Sequence, residues 1–312
     1  MDDIQLFNDD CFNIFPTLED KSINLFILDL PYGQTACKWD TVIDLEEMWK
    51  HIKRIMKPNA LIVFFCTAKF GNTLINANPK WFKYDLIWKK SRKVGFLSAN
   101  KMPLRQHENI YVFKDKQGTY HPQKTEGKPY TDNRRGTGYY GDLGDKYTKD
   151  HKIINKGDRH PTSIIDHENI YVFKDKQGTY NPQKTEGKPY TDNRRGTGYY
   201  GDLGDKYTKD HKIINKGDRH PTSIIPEYEG DTVLVYKNPH KTIHRTQKPV
   251  ELLEWLIKTY SNEGDTVMDF TMGSGTCGVA CMNTKRKFIG VEMDKEIYDA
   301  CFDRIEKHKK NL

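Results

Sequence analysis

Apolar residues gather in short runs, some alternating with polar ones, of the kind that fills a buried strand: Ile4 to Phe7, Asn24 to Leu28, Ala60 to Phe65, Tyr84 to Trp88, Asn109 to Phe113, Thr266 to Phe270 and Lys287 to Glu292. Three- and four-residue spacing instead predicts helices over Leu45 to Met56, Pro249 to Tyr260, Thr276 to Asn283 and Lys295 to His308. Pro249 fits a first helical turn, where its missing N–H is no loss. Strands alternating with helices predict an α/β fold with a doubly wound, mostly parallel sheet. Such a sheet binds ligands at the carboxyl ends of its strands.

Two of these strand ends carry chemistry. In "NLFILDLPYGQTACKWD", Asn24 to Asp40, a buried-strand pattern stops on Asp29 and is followed by Leu30, Pro31, Tyr32 and Gly33. Proline lacks the donor a sheet ladder needs, so the strand ends there and the carboxylate is presented. In "GDTVMDFTMGSGTCGVACMNTKRKFIGVEMD", Gly264 to Asp294, apolar residues lead to Asp269, a turn with Gly273 and Gly275, a small-residue helix and a strand ending in Glu292. Glycines allow close approach of the backbone to a ligand, and an acid ending the next strand can accept bonds from ribose hydroxyls. Gly278 completes GxGxxG, so this segment alone leaves a hydride-transferring dehydrogenase open; a P-loop is excluded because no GK[ST] follows.

Between the two motifs lies a repeat. Residues 107–165 recur 60 positions on as 167–225, and the 59-residue copies differ only at His121 against Asn181. Near-identity points to a very recent duplication, or to an error or deliberate step in making the sequence, rather than to a solenoid. Each copy carries eight Lys, three Arg, six Asp, two Glu and six Tyr. The copies thus supply +6 of the chain's net charge of +7. Beyond "NIYVF" the copies read as an irregular, loop-rich basic module. Basic residues interleaved with tyrosine, as in "TDNRRGTGYYG", suit phosphate contact and base stacking, with a solvated polar insertion as the alternative; Arg134, Arg135, Arg194 and Arg195 are the candidate contacts to a polyanion.

At 312 residues the chain holds one large α/β domain with an insertion, or two ordinary domains. No apolar run approaches the ~18–20 residues of a membrane span, and "MDDIQLFNDD" is acidic where a signal peptide is basic, so no membrane association and a soluble, cytoplasmic protein are expected. The six cysteines form no CxxC pair and read as reduced thiols with no metal site.

"DLPYG", "DFTMGSGT" and "HRTQKPVELLEWLI" together resemble the DNA amino-methyltransferases that use S-adenosylmethionine. The order of the motifs, catalytic first, basic region second and cofactor motif last, resembles the family's β group. The resemblance implies a Rossmann-like methyltransferase fold, with a catalytic half over residues 1–115, the duplicated target-recognition region over 116–230 and a cofactor-binding half over 231–312. It implies Asp29, Leu30, Pro31 and Tyr32 as catalytic. For cofactor binding it implies Asp269, Phe270, Gly273, Gly275, Thr276 and Glu292, with Asp10 of "LFNDDC" reaching the adenine and Lys248 of "TQKP" in the same group. Three positions depart from the pattern: Leu30 replaces the first proline of DPPY, Thr271 interrupts "DPFMGSGT", and Arg245 replaces the proline of "HPTQKP".

An exocyclic amine is a poor nucleophile because its lone pair is delocalised into the ring. A carboxylate and a main-chain carbonyl accepting its hydrogens would favour a pyramidal nitrogen and stabilise the charge that develops on methyl transfer. Asp29 supplies the first and the chain at Leu30–Pro31 the second, while Tyr32 can receive the face of a flipped base. An aspartate at the motif's start favours adenine N6 in this family, with N4-cytosine the alternative. Double-stranded DNA is the implied partner; a homodimer and a separate restriction endonuclease are compatible additions. A DNA-binding relic without catalysis and a nicotinamide-dependent oxidoreductase are the competing classes. Of the two repeat strands, the first copy's, Asn109 to Phe113, is expected in the sheet, because it follows Tyr84 to Trp88 with a short loop to close.

Overall fold

Along the strand Met56–Cys66, Ala60, Ile62, Phe64 and Cys66 join the core on one side of a sheet, and Leu61, Val63 and Phe65 join the core on the other. A strand buried on both faces must sit centrally in a three-layer α/β arrangement. The structure is a computed structural model that describes residues 3–34, 40–126, 129–134, 151–160, 185–186, 190–194, 211–215, 218–219, 234–236 and 247–312.

Contacts divide the chain into two units, residues 1–120 with 163–312, and residues 121–162. The first contains an eight-stranded sheet built from Ile4–Phe7 (β1), Ile23–Leu28 (β2), Met56–Cys66 (β3), Phe82–Val94 (β4), Arg105–Phe113 (β5), Leu234–Tyr236 (β6), Thr266–Asp269 (β7) and Lys287–Val291 (β8). Its order is β1-β8-β7-β2-β3-β5-β4-β6. All neighbours are parallel except that β5 runs antiparallel to both β3 and β4. Cys11–Ile14 (α1), Leu45–Ile55 (α2) and Ala68–Ala77 (α3) cover one face; Val250–Tyr260 (α4), Thr276–Asn283 (α5) and Lys295–Lys309 (α6) cover the other.

All the strands and helices read from the sequence in this unit are present, with shifted ends. Pro249 caps α4 rather than entering it. The sequence reading missed α1, α3 and β6. For α3 the reason is visible: Gly71 lowers helix propensity, but a Cβ there would stand 2.4 Å from Cε2 of Tyr111, so glycine lets the helix lie on β5.

The basic region is less irregular than its composition suggested. The unit of residues 121–162 contains two short antiparallel ladders, Thr125–Glu126 with Asp158–Arg159 and Tyr130–Arg134 with His151–Asn155. The second copy forms the same ladders in the same register, Tyr190 opposite Asn215 as Tyr130 is opposite Asn155. These strands lack apolar alternation, which is why no sequence signal marks them.

The first copy's "HENIYVF" lies within β5 in the sheet, as expected; Asn169 to Phe173 of the second copy lies outside the described residues. Because residues 167–173 repeat residues 107–113, joining residue 106 to residue 167 restores the β5 sequence and a single copy. That shortened chain is expected to unfold at the same or a higher denaturant midpoint. A clearly lower midpoint would show that both copies are built into the stable fold.

Candidate active site

From β2 the chain passes through α2 to β3 on one side; from β7 it passes through α5 to β8 on the other. β2 and β7 are neighbours, with Phe26 opposite Met268, so the strand order reverses between them. That switch point opens a crevice at the strands' carboxyl ends. Both sequence motifs end there. The hydroxyl of Thr271 donates to the main-chain carbonyl of Asp29 at 3.4 Å, joining them directly.

At the end of β2, Asp29 is half-buried and its two oxygens are engaged separately. Oδ1 accepts the Tyr32 hydroxyl at 2.7 Å and Oδ2 is paired with the Lys248 ammonium. Glu108, buried on β5, adds a second carboxylate: Tyr32 Oη lies 3.1 Å from its Oε1, Lys248 Nζ lies 3.5 Å from the same atom, and Lys90 Nζ lies 2.5 Å from Oε2. Two carboxylates and two ammonium groups thus meet in one partly buried cluster. Burial alone would push the Glu108 carboxyl up, but Lys248 and Lys90 hold it down at about 2. Burial likewise opposes charge on Lys248, and Asp29 and Glu108 overcome it and raise its pKa. Burial, then the two carboxylates, push the Tyr32 phenol well above its ordinary value, so it stays a donor.

Leu30 and Tyr32 diverge from the same turn. Leu30 is buried in the core on the α2 side, so a leucine replaces the usual proline where an apolar side chain packs. Its carbonyl belongs to the main chain and is supplied by either residue. The Tyr32 ring lies against Phe70 with centroids 5.1 Å apart. After it the turn is held by Asp40, whose carboxylate accepts the Gly33 amide at 2.8 Å and the Gln34 amide at 2.9 Å.

The cofactor candidates lie across the adjoining strands β7, β8 and β1. Asp269 is buried, and its Oδ1 accepts the Thr271 amide at 3.1 Å. Phe270 packs edge-on to Phe15 at 5.0 Å, forming the floor of the turn. Gly273 has φ +50°, and a Cβ on it would meet nothing nearer than the Thr271 carbonyl at 4.0 Å. Gly275, at φ +69°, differs: a Cβ there would stand 2.4 Å from Cys301 Sγ. Gly275 is therefore required by helix packing and Gly273 by its turn, beside open space. Glu292 accepts the Gly273 amide at 2.9 Å through Oε2 and the Asp294 amide at 2.9 Å through Oε1. It shapes the glycine turn as well as ending β8. Asp10 caps α1 by accepting the Phe12 amide at 2.9 Å, just beyond β1, and β1 is tied to β8 where the Glu292 amide donates to the Phe7 carbonyl at 3.0 Å.

Two of the cofactor candidates already carry contacts within the protein. The Lys248 ammonium lies on Asp29 and Glu108 and over the Phe65 ring at 4.9 Å. Thr276 is buried, with its hydroxyl 3.1 Å from Ser274 Oγ and accepting Arg304 at 2.9 Å, so it braces the start of α5. Arg134 and Arg194 fall on the ladder strands; Arg135 and Arg195 lie outside the described residues. The sequence reading missed Glu108, Lys90 and Asp40. A signal was present for Glu108: a carboxylate directly preceding the buried run "NIYVF" needs a partner when the strand is covered.

Two outcomes are expected for these candidates. Gly273→Val puts a β-branched residue at positive φ, at a cost of ~1–2 kcal/mol, and fills the open space above the turn. It is expected to abolish binding of S-adenosylmethionine in calorimetry, whereas Glu292→Gln, which keeps an acceptor oxygen, should only weaken it; the reverse ranking would contradict this site. For Asp269, burial pushes the carboxyl up to about 8 from 3.8, so the folded, ligand-free protein holds a proton that the unfolded chain releases. Stability should therefore fall as pH rises from about 4 to about 8. Asp269→Asn should remove that part of the slope in denaturant midpoints.

A doubly wound sheet with a glycine turn on β7 and a separate carboxylate motif on the adjacent β2 defines the Rossmann-like methyltransferase class. Within it, a sequence model of the DNA methylase family, the N6/N4 methyltransferases, matches residues 23–303, and the chain belongs to that family, with S-adenosylmethionine as its cofactor. The type II methyltransferase M.HpaI of Haemophilus parainfluenzae is 39% identical over 71 residues, a match covering 23% of this chain and 23% of that protein. The match thus spans under a quarter of the relative's length. Among solved structures, the M1.HpyAVI–SAM complex superposes with a TM-score of 0.51 at 19% identity, covering 96% of this chain and 99% of that one. The PvuII DNA methyltransferase, described as cytosine-N4-specific, superposes at 0.52 with 12% identity, covering 99% and 92%. At these identities the likeness is one of fold.

Proposed function

We propose that this protein transfers a methyl group from S-adenosylmethionine to the N6 amine of adenine in double-stranded DNA, with Asp29 as the carboxylate that receives the amine. The observation that carries this reading is the junction at the switch point: the Asp29 turn and the Asp269–Gly273 turn leave adjacent strands and are bonded through Thr271. A methyl donor over Gly273 and an amine at Asp29 would then face each other across one crevice.

The bound cofactor supplies an electrophilic methyl group. Gly273 would let the main chain approach it, Glu292 and Asp10 are the polar groups of the neighbouring strand ends, and Phe270 underlies the turn. Asp29 would accept one amine hydrogen and the Leu30 carbonyl the other, favouring a pyramidal nitrogen whose lone pair takes the methyl group. The electron pair of the broken sulfur–carbon bond would stay on sulfur as a thioether, and the surplus proton on nitrogen would leave along the Asp29 hydrogen bond to solvent. The positive charge that develops lies against a carboxylate already formed, and preorganisation of this kind lowers the barrier. Tyr32, fixed by its hydroxyl to Asp29 and Glu108, would receive the face of a flipped base on its ring. The aspartate at position 29 favours adenine over cytosine in this family.

In this reading residues 1–115 form the catalytic half, residues 231–312 the cofactor half and residues 116–230 the recognition region, with Arg134, Arg135, Arg194 and Arg195 toward phosphate. Among the described residues no helix is long and apolar enough to cross a membrane. A cytoplasmic place of action agrees with the thiol pattern; the described cysteines are free and buried. The test is incubation with labelled S-adenosylmethionine and unmethylated DNA, followed by digestion to nucleosides. Label in N6-methyl-2′-deoxyadenosine is expected. Label in N4-methyl-2′-deoxycytidine would overturn the adenine assignment, and no label in DNA would overturn the activity.

A further inference from the structure

The β4–β5 hairpin carries a group of apolar side chains that the catalytic reading does not use. Between Val94 and Arg105 the loop exposes Phe96 (52%), Leu97 (48%) and Met102 (52%), followed by exposed Pro103. The loop has internal order: Gly95 turns at φ +90°, the Ser98 amide donates to Gly95 at 2.9 Å, the Met102 amide donates to Ser98 at 3.0 Å, and Ala99 is buried. Its apolar tips are therefore presented by a built turn. Exposed Lys93 and Lys101 flank them, giving the surface a positive rim.

Topology fixes where this surface points. β4 is antiparallel to β5 and β5 to β3, so β4 ends on the same edge of the sheet as β2 and β3. Glu108, which bonds Tyr32, lies three residues along β5 from Arg105, where the loop returns. At ~3.4 Å per residue that is roughly 10 Å, so the base of the loop lies near the Glu108–Tyr32 contact. An apolar cluster with a basic rim, on the sheet edge where β2 ends in Asp29, matches the side chains that proteins use to wedge base steps apart: Phe, Leu, Met and Pro.

We propose that residues 94–104 form a DNA wedge, in which Phe96 and Leu97 enter the duplex beside the target base and help unstack it, while Lys93 and Lys101 contact the flanking phosphates. This rests on the methyltransferase reading above and adds to it the surface that opens the duplex.

The test uses the full chain, unmethylated genomic DNA and labelled S-adenosylmethionine. Phe96→Ala/Leu97→Ala is expected to reduce methyl transfer to duplex DNA at least tenfold, to change transfer to the same DNA after denaturation less than twofold, and to leave cofactor binding in calorimetry unchanged. If denatured DNA is not a substrate for the parent chain, permanganate reactivity of thymines in the bound duplex replaces that arm and should fall in the variant. Lys93→Glu/Lys101→Glu should flatten the dependence of log affinity on log salt by about two phosphate contacts, measured on a mixed-sequence duplex. An unchanged duplex rate, an equal loss on both forms of DNA, permanganate reactivity equal to the parent's or an unchanged salt slope would each overturn the wedge. So would a loop variant that turns a dimer into a monomer in sedimentation, since the surface would then be covered by a second copy. A parent chain that methylates neither form of DNA would instead refute the methyltransferase reading.

Discussion

Asp29→Ala is expected to reduce methyl transfer by about three orders of magnitude while leaving S-adenosylmethionine affinity within a few-fold. The Asp29 side chain is held by Tyr32 and Lys248, and the residue is tied to the glycine turn through its main-chain carbonyl, which accepts the Thr271 hydroxyl. Removing one preorganised electrostatic contact of this kind typically costs ~3–4 kcal/mol of barrier. The same change takes a partner from Tyr32 and from Lys248, so some loss of stability accompanies it. Asp29→Asn separates the two effects: it keeps an acceptor for the Tyr32 hydroxyl and nearly the same shape, and should be almost as inactive with a smaller stability loss. Turnover of either variant near that of the parent chain would remove Asp29 from the reaction.

Glu108→Ala is expected to destabilise the folded protein by about 3 kcal/mol at neutral pH. Glu108 is buried and is the common partner of Lys90, Lys248 and Tyr32, so its removal takes from Lys90 its paired carboxylate and leaves Lys248 with Asp29 alone. Breaking one side of a buried ion pair is costly because the other charge is left uncompensated. The pH dependence gives an independent check. The folded-state carboxyl is held at about 2 against 4.5 for the free group, so the contribution is fully present above about 4.5 and is lost as pH falls toward 2. In the variant, denaturant midpoints should lose that part of their acid-side slope. Glu108→Gln, which keeps an acceptor for Tyr32, should fall between the two. A variant as stable as the parent at pH 7 would show that the cluster is not held by charge.

The sequence by itself determined the α/β class, most strand and helix positions, and both chemical strand ends, since each is a local pattern of apolar run, breaker and exposed acid. Asp29, Asp269, Gly273 and Glu292 were legible because each interrupts or ends a periodic segment. Gly275 was legible as a turn, but its reason, contact with Cys301, was not. Lys248 and Glu108 show where legibility stops. Lys248 meets an aspartate 219 positions away, and Tyr32 meets a glutamate 76 positions away. No local period encodes such pairs; they exist because the sheet order puts β5 and β2 on either side of β3, with the entry to α4 at their ends. The duplication makes the same point. Two identical strands have identical propensities, so only chain closure could place the first copy's strand between β3 and β4, and with it the carboxylate that steadies the site.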